Sequence, residues 1–531
     1  MYLHPVALIA FKQSNNLGIG YLASVLSKAG YETQVIEFQQ RKGEILKTLK
    51  RLNPLIVGFS LIFQYHIYEF QKLISYLRKG GIKCHFTAGG YYASLRYKDL
   101  FELIPSLDSV VRFEGEHTLL DLVNCINSED DWQKVRGIAF KINDKIIATP
   151  LRLLETDLDK FPLPFRPSLI NYAFDKKFTT IIAGRGCVNN CSFCNTREYY
   201  RQSSGPYKRL RKPEKVAWEM GLLYNKNDCS VFLFEDDDFP VKTENGSEWI
   251  ERFCKELKRK KLNDKIMWKI NCRPDEIDYD SFALMKTHGL YFAFLGLDDG
   301  TDSGLSRLNK NMTIAKSMQG INILKELEIG FDYGFMLFQP TSTFKSVNDN
   351  LDFLRKICGD GYAPVTFLKL RPYFETRIEK VLRKEERLIG NPGFLDYEFL
   401  DKSLNHYYEF VTDCLMEWFR DSDGLLNILR CTKNYFSVYS NYFEITQEVT
   451  AISGDIRKII SNSNLFLLDT LKELAILFES GKYNSLKYND LNSYKKNIKA
   501  KHKHYKGKIN NSLNDLFRLV EYQKLYQLSR S

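Results

Sequence analysis

The sequence predicts an α/β protein in three parts: an N-terminal doubly wound parallel sheet, a central open barrel of six βα units, and a mostly helical C-terminal domain. Three observations carry this. Over residues 1–150 short apolar runs alternate with amphipathic stretches, the pattern of successive βαβ units. The alternation resumes from 178 to about 380, and from 381 it gives way to long helical periodicity. A chain of 531 residues is also too long for one ordinary core.

In the first part VALIAF, ETQVIEF, LIVGFS and CHFTAGG read as strands, and LGIGYLASVLSKAG and the run near 64–79 as helices. Ligands of doubly wound sheets bind beyond the carboxyl ends of the strands. Here those ends carry Ser60, then Gly89 and Gly90, then RFEGEH with Glu114, Gly115 and Glu116. Small residues there let a large flat ligand approach the backbone, although glycines also end strands for purely structural reasons. Residues 151–177 hold DLDKFPLPFRP, whose closely spaced prolines suit an extended linker.

In the second part FTTIIAG, SVFLFED, IMWKINC, YFAFLGL, FDYGFMLF and VTFLKLRPY read as six strands. Amphipathic segments such as PEKVAWEMGLLYNK and SEWIERFCKELKRK separate them. Such a series makes a parallel barrel, open because closure takes eight units, with function at the C-terminal strand ends. In the third part Phe410, Val411, Cys414, Leu415, Trp418 and Phe419 make one apolar helical face, read as core. The lysine-rich end is expected to be partly disordered.

The formal charge of +11 raises nucleic acid as a partner, but much of the excess sits in KHKHYKGK at 501–508. With no zinc-finger spacing, RNA-binding aromatic signature or basic helix-turn-helix pattern beside it, this reads as a solvated tail. No apolar run reaches the roughly 18 residues of a membrane span, and no secretory n-region or cleavage site is evident. The eleven cysteines are odd in number and scattered apart from one cluster, unlike a secreted disulfide framework. A cytoplasmic protein with reduced thiols and no membrane partner is expected.

That cluster is GRGCVNNCSFCN, residues 184–195, with Cys187, Cys191 and Cys194 at gaps of three and two. A structural zinc site wants four closed ligands, and His117 and Cys229, the nearest further candidates, show no paired spacing. Three thiolates on a 4Fe–4S cluster instead leave one iron without a protein ligand, open to chelation.

With Phe193 just before its last cysteine, this loop resembles that of radical S-adenosylmethionine (SAM) enzymes. Residues 1 to about 380 resemble the subgroup in which a cobalamin-binding domain precedes the radical SAM barrel. LGIGYLASVL, IVGFS, AGG, EGE, DLDKFPLP, the cysteine loop, FEDDDF, GLDDG and PYFET have counterparts there in the same order.

The resemblance implies that the three cysteines hold the cluster, that SAM chelates its open iron, and that an electron cleaves SAM to a 5′-deoxyadenosyl radical. Gly184 and Gly186 would allow the backbone to wrap the cluster; Arg185 would bring positive charge near its sulfides or sit on the surface. Phe193, Glu235, Asp236, Arg273 and Asp298 fall where the family contacts SAM, with Arg273 suited to its carboxylate or to a surface salt bridge. Asp298 replaces a Glu common in relatives, and Phe338 and Ser342 depart from a later motif. Ser60, Leu61, Gly89, Gly90, Glu114 and Gly115 become candidate cobalamin contacts. The 12–20 loop, KQSNNLGIG, has no histidine for cobalt, so cobalamin binds without one from there or has been lost. The implied reaction is methylation of an unactivated carbon in a small molecule or peptide, with an electron donor such as flavodoxin or ferredoxin. Cyclisation, rearrangement or epimerisation without methyl transfer is the alternative, and a non-catalytic cobalamin or iron–sulfur module the second. Tyr199 and Tyr200 are candidates to line a pocket.

Overall fold

The computed structural model describes residues 3–11, 16–166, 169–241, 246–485 and 488–528. The first apolar runs form β1 (Leu3–Ala10), β2 (Tyr31–Glu37), β3 (Ile56–Ser60), β4 (His85–Gly89) and β5 (Ser109–Val111). They pair in parallel in the order β2-β1-β3-β4-β5, and β6 (Ile138–Ile142) and β7 (Lys145–Ala148) extend the sheet antiparallel. The central strands β1, β3, β4 and β5 are mostly buried because both faces are covered, whereas β2 and β7 at the edges are half-buried or exposed. Val6, Leu8 and Ala10 meet the helices Leu17–Lys28 and Glu116–Asn127, while Ala7 and Ile9 meet Lys42–Leu52 and Ile67–Lys79. The strand order reverses between β1 and β3, which opens a crevice at their carboxyl ends.

The second sheet contains β8 (Ile170–Ala173), β9 (Lys176–Ile181), β12 (Cys229–Phe234), β13 (Met267–Cys272), β14 (Leu290–Asp298) and β15 (Gly330–Phe335). A short antiparallel ribbon, β10 (Gly184–Gly186) with β11 (Lys208–Leu210), follows β9. The sheet order is β15-β14-β13-β12-β9-β8, five parallel strands with β8 antiparallel at the edge. This is the expected open barrel with two differences. The sixth expected strand, VTFLKLRPY, meets only the last residue of β15, Leu368 N–H donating to the Phe335 carbonyl at 2.8 Å, and the stretch after it. It is therefore reduced to a bridge between Phe338 and Lys369, with Leu370 N–H donating to the Phe338 carbonyl at 2.7 Å. The end of the expected linker is β8, turned back onto β9 by Phe174 and Asp175 in left-handed conformations with φ of 50° and 64°.

Beyond the barrel, β16 (Leu388–Asn391) and β17 (Phe394–Tyr397) form a hairpin. The helices Lys402–Phe419, Leu425–Tyr442, Gln447–Glu479 and Tyr488–Leu528 follow. Val411, Cys414, Leu415 and Trp418 are buried as the periodicity predicts, with Phe410 and Phe419 packed beside them, and their core is continuous with that of the barrel. Asn464 crosses the seam, accepting from Val365 N–H at 2.8 Å and donating to the Cys358 and Ala363 carbonyls.

The lysine-rich end, expected to be partly disordered, is instead part of the last helix. Its Ile509, Leu516 and Val520 are buried. Its lysines Lys495, Lys499 and Lys506 reach Asp413, Glu417 and Asp423 at 2.6, 2.8 and 2.5 Å. Among the described residues no helix is long and apolar enough to cross a membrane.

Candidate active site

After β9 the chain bends sharply, and the bend is held by carboxylates. Asp236 accepts from the N–H groups of Ala183 (3.0 Å) and Gly184 (2.6 Å), and Asp237 from that of Gly186 (3.2 Å). Gly186 has φ of 86°, and a Cβ there would lie 1.9 Å from the Tyr207 carbonyl, so only glycine fits. The cysteine loop leaves this bend and is pinned on its far side. Ser192 N–H donates to Leu308 O at 2.9 Å, Ile378 N–H to Ser192 O at 3.1 Å, and the Asn309 amide to Asn190 O at 2.6 Å. Phe193, expected to contact a cofactor, packs among Leu308, Met336, Leu370 and Ile378 and so anchors the loop.

All three loop thiols are free and partly exposed. Two N–H groups of Asn189 approach Cys187 Sγ at 3.4 Å. Burial pushes each thiol up, that of Cys187 to about 12, while the charges of Lys310 and Arg273 work against this at Cys191. Among the described residues no three His, Cys, Asp or Glu side chains converge on a single ion position. Zinc requires that convergence, whereas a cubane offers each thiolate its own iron, so the donor set fits a 4Fe–4S cluster.

Arg273 ends β13 and is mostly buried. Its Nε and Nη2 hold Asp275 at 2.9 and 3.1 Å, and Nη2 also donates to Lys310 O at 2.6 Å. Its Nη1 is buried without any partner. An orphaned guanidinium N–H beside the cysteine loop fits an anionic group such as the SAM carboxylate. Asp298 ends β14 at φ of 66° and is ion-paired with Lys310 Nζ. Burial opposes the Lys310 charge, but Asp298 holds its pKa above the ordinary lysine value. Arg273, Asp298 and Cys191 are thus brought together, and Lys310 joins them. Sequence reasoning missed this lysine; its only signal was a charge between Leu308 and Met312 in the stretch joining two helices.

The acidic run splits its tasks. Glu235 is exposed on a cavity wall, 3.7 Å from Lys269. Asp236, the other expected SAM contact, is buried, its carboxylate is spent on the β9 bend, and burial pushes it up to about 7. Asp237, not singled out from sequence, joins Glu235 on the cavity wall. Of the departing residues, Phe338 is buried and Ser342 Oγ accepts from Gln339 N–H at 2.8 Å, closing a turn.

The cavity, of about 370 Å³, lies between the carboxyl ends of β1, β3, β4 and β5 and the start of the barrel. Ser60, Gly89, Gly90, Glu114 and Gly115 line one side, and Gly184, Arg185, Glu235 and Asp237 the other. Tyr199 and Tyr200 form part of its wall, Tyr199 stacked on Tyr91 at 4.2 Å and edge-on to Phe113 at 5.1 Å. Leu61 is not on this wall. It is 1% exposed in the core behind Gly90, whose φ of 105° and approach to Leu61 O (2.7 Å from a Cβ position) exclude any side chain. Bare glycine backbone on one wall and aromatic faces on the other suit a broad flat ligand, so the residues present fit cobalamin. Residues 12–15 of the histidine-free loop lie outside the described residues; Asn16 to Ile19 reach the cavity.

Glu114 lines the cavity, but its carboxylate is occupied. Arg209 holds it in a two-pronged pair, Nη1 to Oε2 at 3.0 Å, and Arg185 approaches at 3.4 Å. Burial raises its pKa, but the Arg209 hydrogen bonds and the two arginine charges win and hold it below the usual carboxylate value. Arg185 is therefore not a free surface charge. It pairs with Glu116 at 2.6 Å and lies over the rings of Tyr21 and Phe161. The EGE motif ties the N-terminal sheet to the barrel.

A doubly wound sheet facing a half-barrel, with a three-thiol loop after the first barrel strand, defines a two-cofactor radical enzyme. Residues 6–123 match the B12 binding domain and residues 181–354 the Radical SAM superfamily. The chain belongs to the radical SAM enzymes that carry a B12-binding domain, with a 4Fe–4S cluster, SAM and cobalamin as cofactors. It is 26% identical over 359 residues to the anaerobic magnesium-protoporphyrin IX monomethyl ester cyclase of Cereibacter sphaeroides, covering 62% of this chain but only 55% of that one. The hopanoid C-3 methylase of Methylococcus capsulatus is 24% identical over 62% of each chain. The fold is similar to that of the cobalamin-dependent SAM radical enzyme OxsB with aqua-cobalamin bound, with a TM-score of 0.68 at 17% identity over 97% of this chain and 81% of that one. The methyltransferase TsrM of Kitasatospora setae gives a TM-score of 0.62 at 16% identity, over 72% and 76%.

Proposed function

We propose that this enzyme methylates an unactivated carbon of a small molecule or peptide. The observation that carries the reading is the single cavity whose one wall is the cobalamin-type strand ends and whose other is the start of the barrel. When bound, the cluster and SAM supply a hydrogen-abstracting radical, and cobalamin supplies a methyl group that a carbon radical can accept. The chain's own part is placement. Cys187, Cys191 and Cys194 hold three irons, and the free Nη1 of Arg273 receives the SAM carboxylate. Glu235 and the Asp298–Lys310 pair present charges to its polar end. Ser60, Gly89, Gly90 and Gly115 admit cobalamin, and Tyr199 and Tyr200 keep water from the space between the cofactors. The working division is a cobalamin-binding domain over 1–150, a linker over 151–177, the radical SAM barrel over 178–380 and a helical domain over 381–531. Free thiols at all eleven cysteines support a reducing, cytoplasmic setting.

The test is anaerobic turnover of protein reconstituted with iron, sulfide and hydroxocobalamin. Methyl transfer yields S-adenosylhomocysteine, 5′-deoxyadenosine and a product heavier by one methylene. The similarity to a cyclase favours a second reading, ring formation without methyl transfer, which yields 5′-deoxyadenosine and an unmethylated product. Absence of any SAM cleavage would leave a non-catalytic module.

A further inference from the structure

The helix Asn195–Gln202 separates two cavities. Tyr199 and Tyr200 face the one between the domains, while Arg197, Glu198 and Arg201, on the opposite side of the helix, line a second groove. That groove is open to solvent, has a volume of about 520 Å³, and is lined in part by Cys191 and Cys194. The helix Arg377–Lys384 forms the other bank and contributes Arg377, Lys380 and Lys384. Five cationic side chains thus stand over two cluster thiols against two carboxylates, Glu198 and Glu375. Both carboxylates are engaged: Glu198 by Arg201 at 2.7 Å, Glu375 by Arg96 at 3.2 Å and Lys380 at 3.0 Å. Arg197 has a buried Nε without a partner, and its guanidinium lies over the Tyr207 ring at 3.8 Å. Between the cations Val381, an apolar residue, is 46% exposed.

A cationic rim around an apolar spot suits a transient protein encounter, in which charge steers the approach and little area is buried. The cluster needs one electron per SAM cleaved, and the groove approaches its thiolates from the side away from the cofactor cavity. We infer that this groove docks a small acidic electron-carrier protein bearing a flavin or an iron–sulfur centre. The carrier is oxidised by one electron and the cluster reduced by one, and no bond forms or breaks. The inference rests on the cluster and SAM chemistry of the family and not on methyl transfer, so it stands if the methyltransferase reading fails.

The experiment uses the reconstituted holoenzyme and flavodoxin hydroquinone in anaerobic stopped flow, following cluster reduction. The wild-type rate should fall steeply with ionic strength. In the variant Arg377→Glu/Lys380→Glu/Lys384→Glu the low-salt rate should fall at least tenfold and lose most of its salt dependence. Reduction by the methyl viologen radical, a small cation, should be as fast as in wild type or faster. Lys380→Gln/Lys384→Gln, which only removes charge, should give an intermediate loss and carries the test if the triple variant does not load its cluster. A flavodoxin rate unchanged in these variants would overturn the inference. So would an equal loss with viologen, which would mark damage to the cluster.

Discussion

Glu114, just past the fifth strand of the N-terminal sheet, and Arg209, on the ribbon that follows the first barrel strand, form a two-pronged ion pair at the rim of the interdomain cavity. Both side chains are largely buried, and Arg185 leans on the same carboxylate. Removing one partner of a buried pair leaves the other charge uncompensated, at a cost on the order of 3 kcal/mol.

Glu114→Gln should therefore lower stability in urea unfolding by that order and loosen cobalamin retention. Its folded-state pKa is depressed, so the pair stabilises the fold above the unfolded value of about 4.3 and this is lost as pH falls through the folded value. The acid limb of a stability–pH curve should be shallower in the variant than in wild type. Identical acid limbs would show that the pair is not linked to folding.

Arg273 leaves its Nη1 buried without a partner while its other nitrogens hold Asp275 and Lys310 O. Arg273→Lys keeps the charge but loses the fork, and SAM should bind at least tenfold more weakly, about 1.4 kcal/mol. Iron content should stay at the wild-type level. Unchanged affinity by equilibrium dialysis would assign Arg273 to the loop's architecture alone.

Asp298 and Lys310 are both buried and paired, so their variants act on folding as well as on the cofactor. Lys310→Met should destabilise on the order of 3 kcal/mol by stranding the Asp298 charge. The double variant Asp298→Asn/Lys310→Met should recover much of that stability but not SAM affinity. Recovery of both would reduce the pair to a structural role.

Ser60 stands on the cavity wall at the end of β3. Ser60→Trp should fill the space cobalamin needs, and gel filtration should then separate the protein from added hydroxocobalamin while its iron and sulfide stay at wild-type content. Retained cobalamin would move its site elsewhere.

Much of this architecture is legible in the amino-acid sequence, because its signals are local. Apolar runs separated by amphipathic stretches specify strands buried on both faces, and the three thiols at gaps of three and two specify the cluster loop whatever surrounds them. Phe410, Val411, Cys414, Leu415, Trp418 and Phe419 mark a packed helical face by spacing alone. What only the tertiary structure decided are the partners of charged and small side chains, since those are set by distant elements meeting in space. Glu114 and Arg185 line the cavity, but that Arg209 and Arg185 share the Glu114 carboxylate and that Glu116 pairs with Arg185 appears only once the fold brings these parts of the chain together. Asp236 and Glu235 are adjacent in sequence, yet one is spent on the backbone of a bend and the other faces the cavity, because successive residues at a strand end point in different directions. Leu61 lies one residue beyond Ser60 and is core for the same reason. Lys310 carries no motif of its own and gains its place only because the stretch after the fourth barrel strand folds back under the cysteine loop. The lysines of the last helix, solvated by composition alone, find Asp413, Glu417 and Asp423 because packing its apolar stripe sets the two helices side by side.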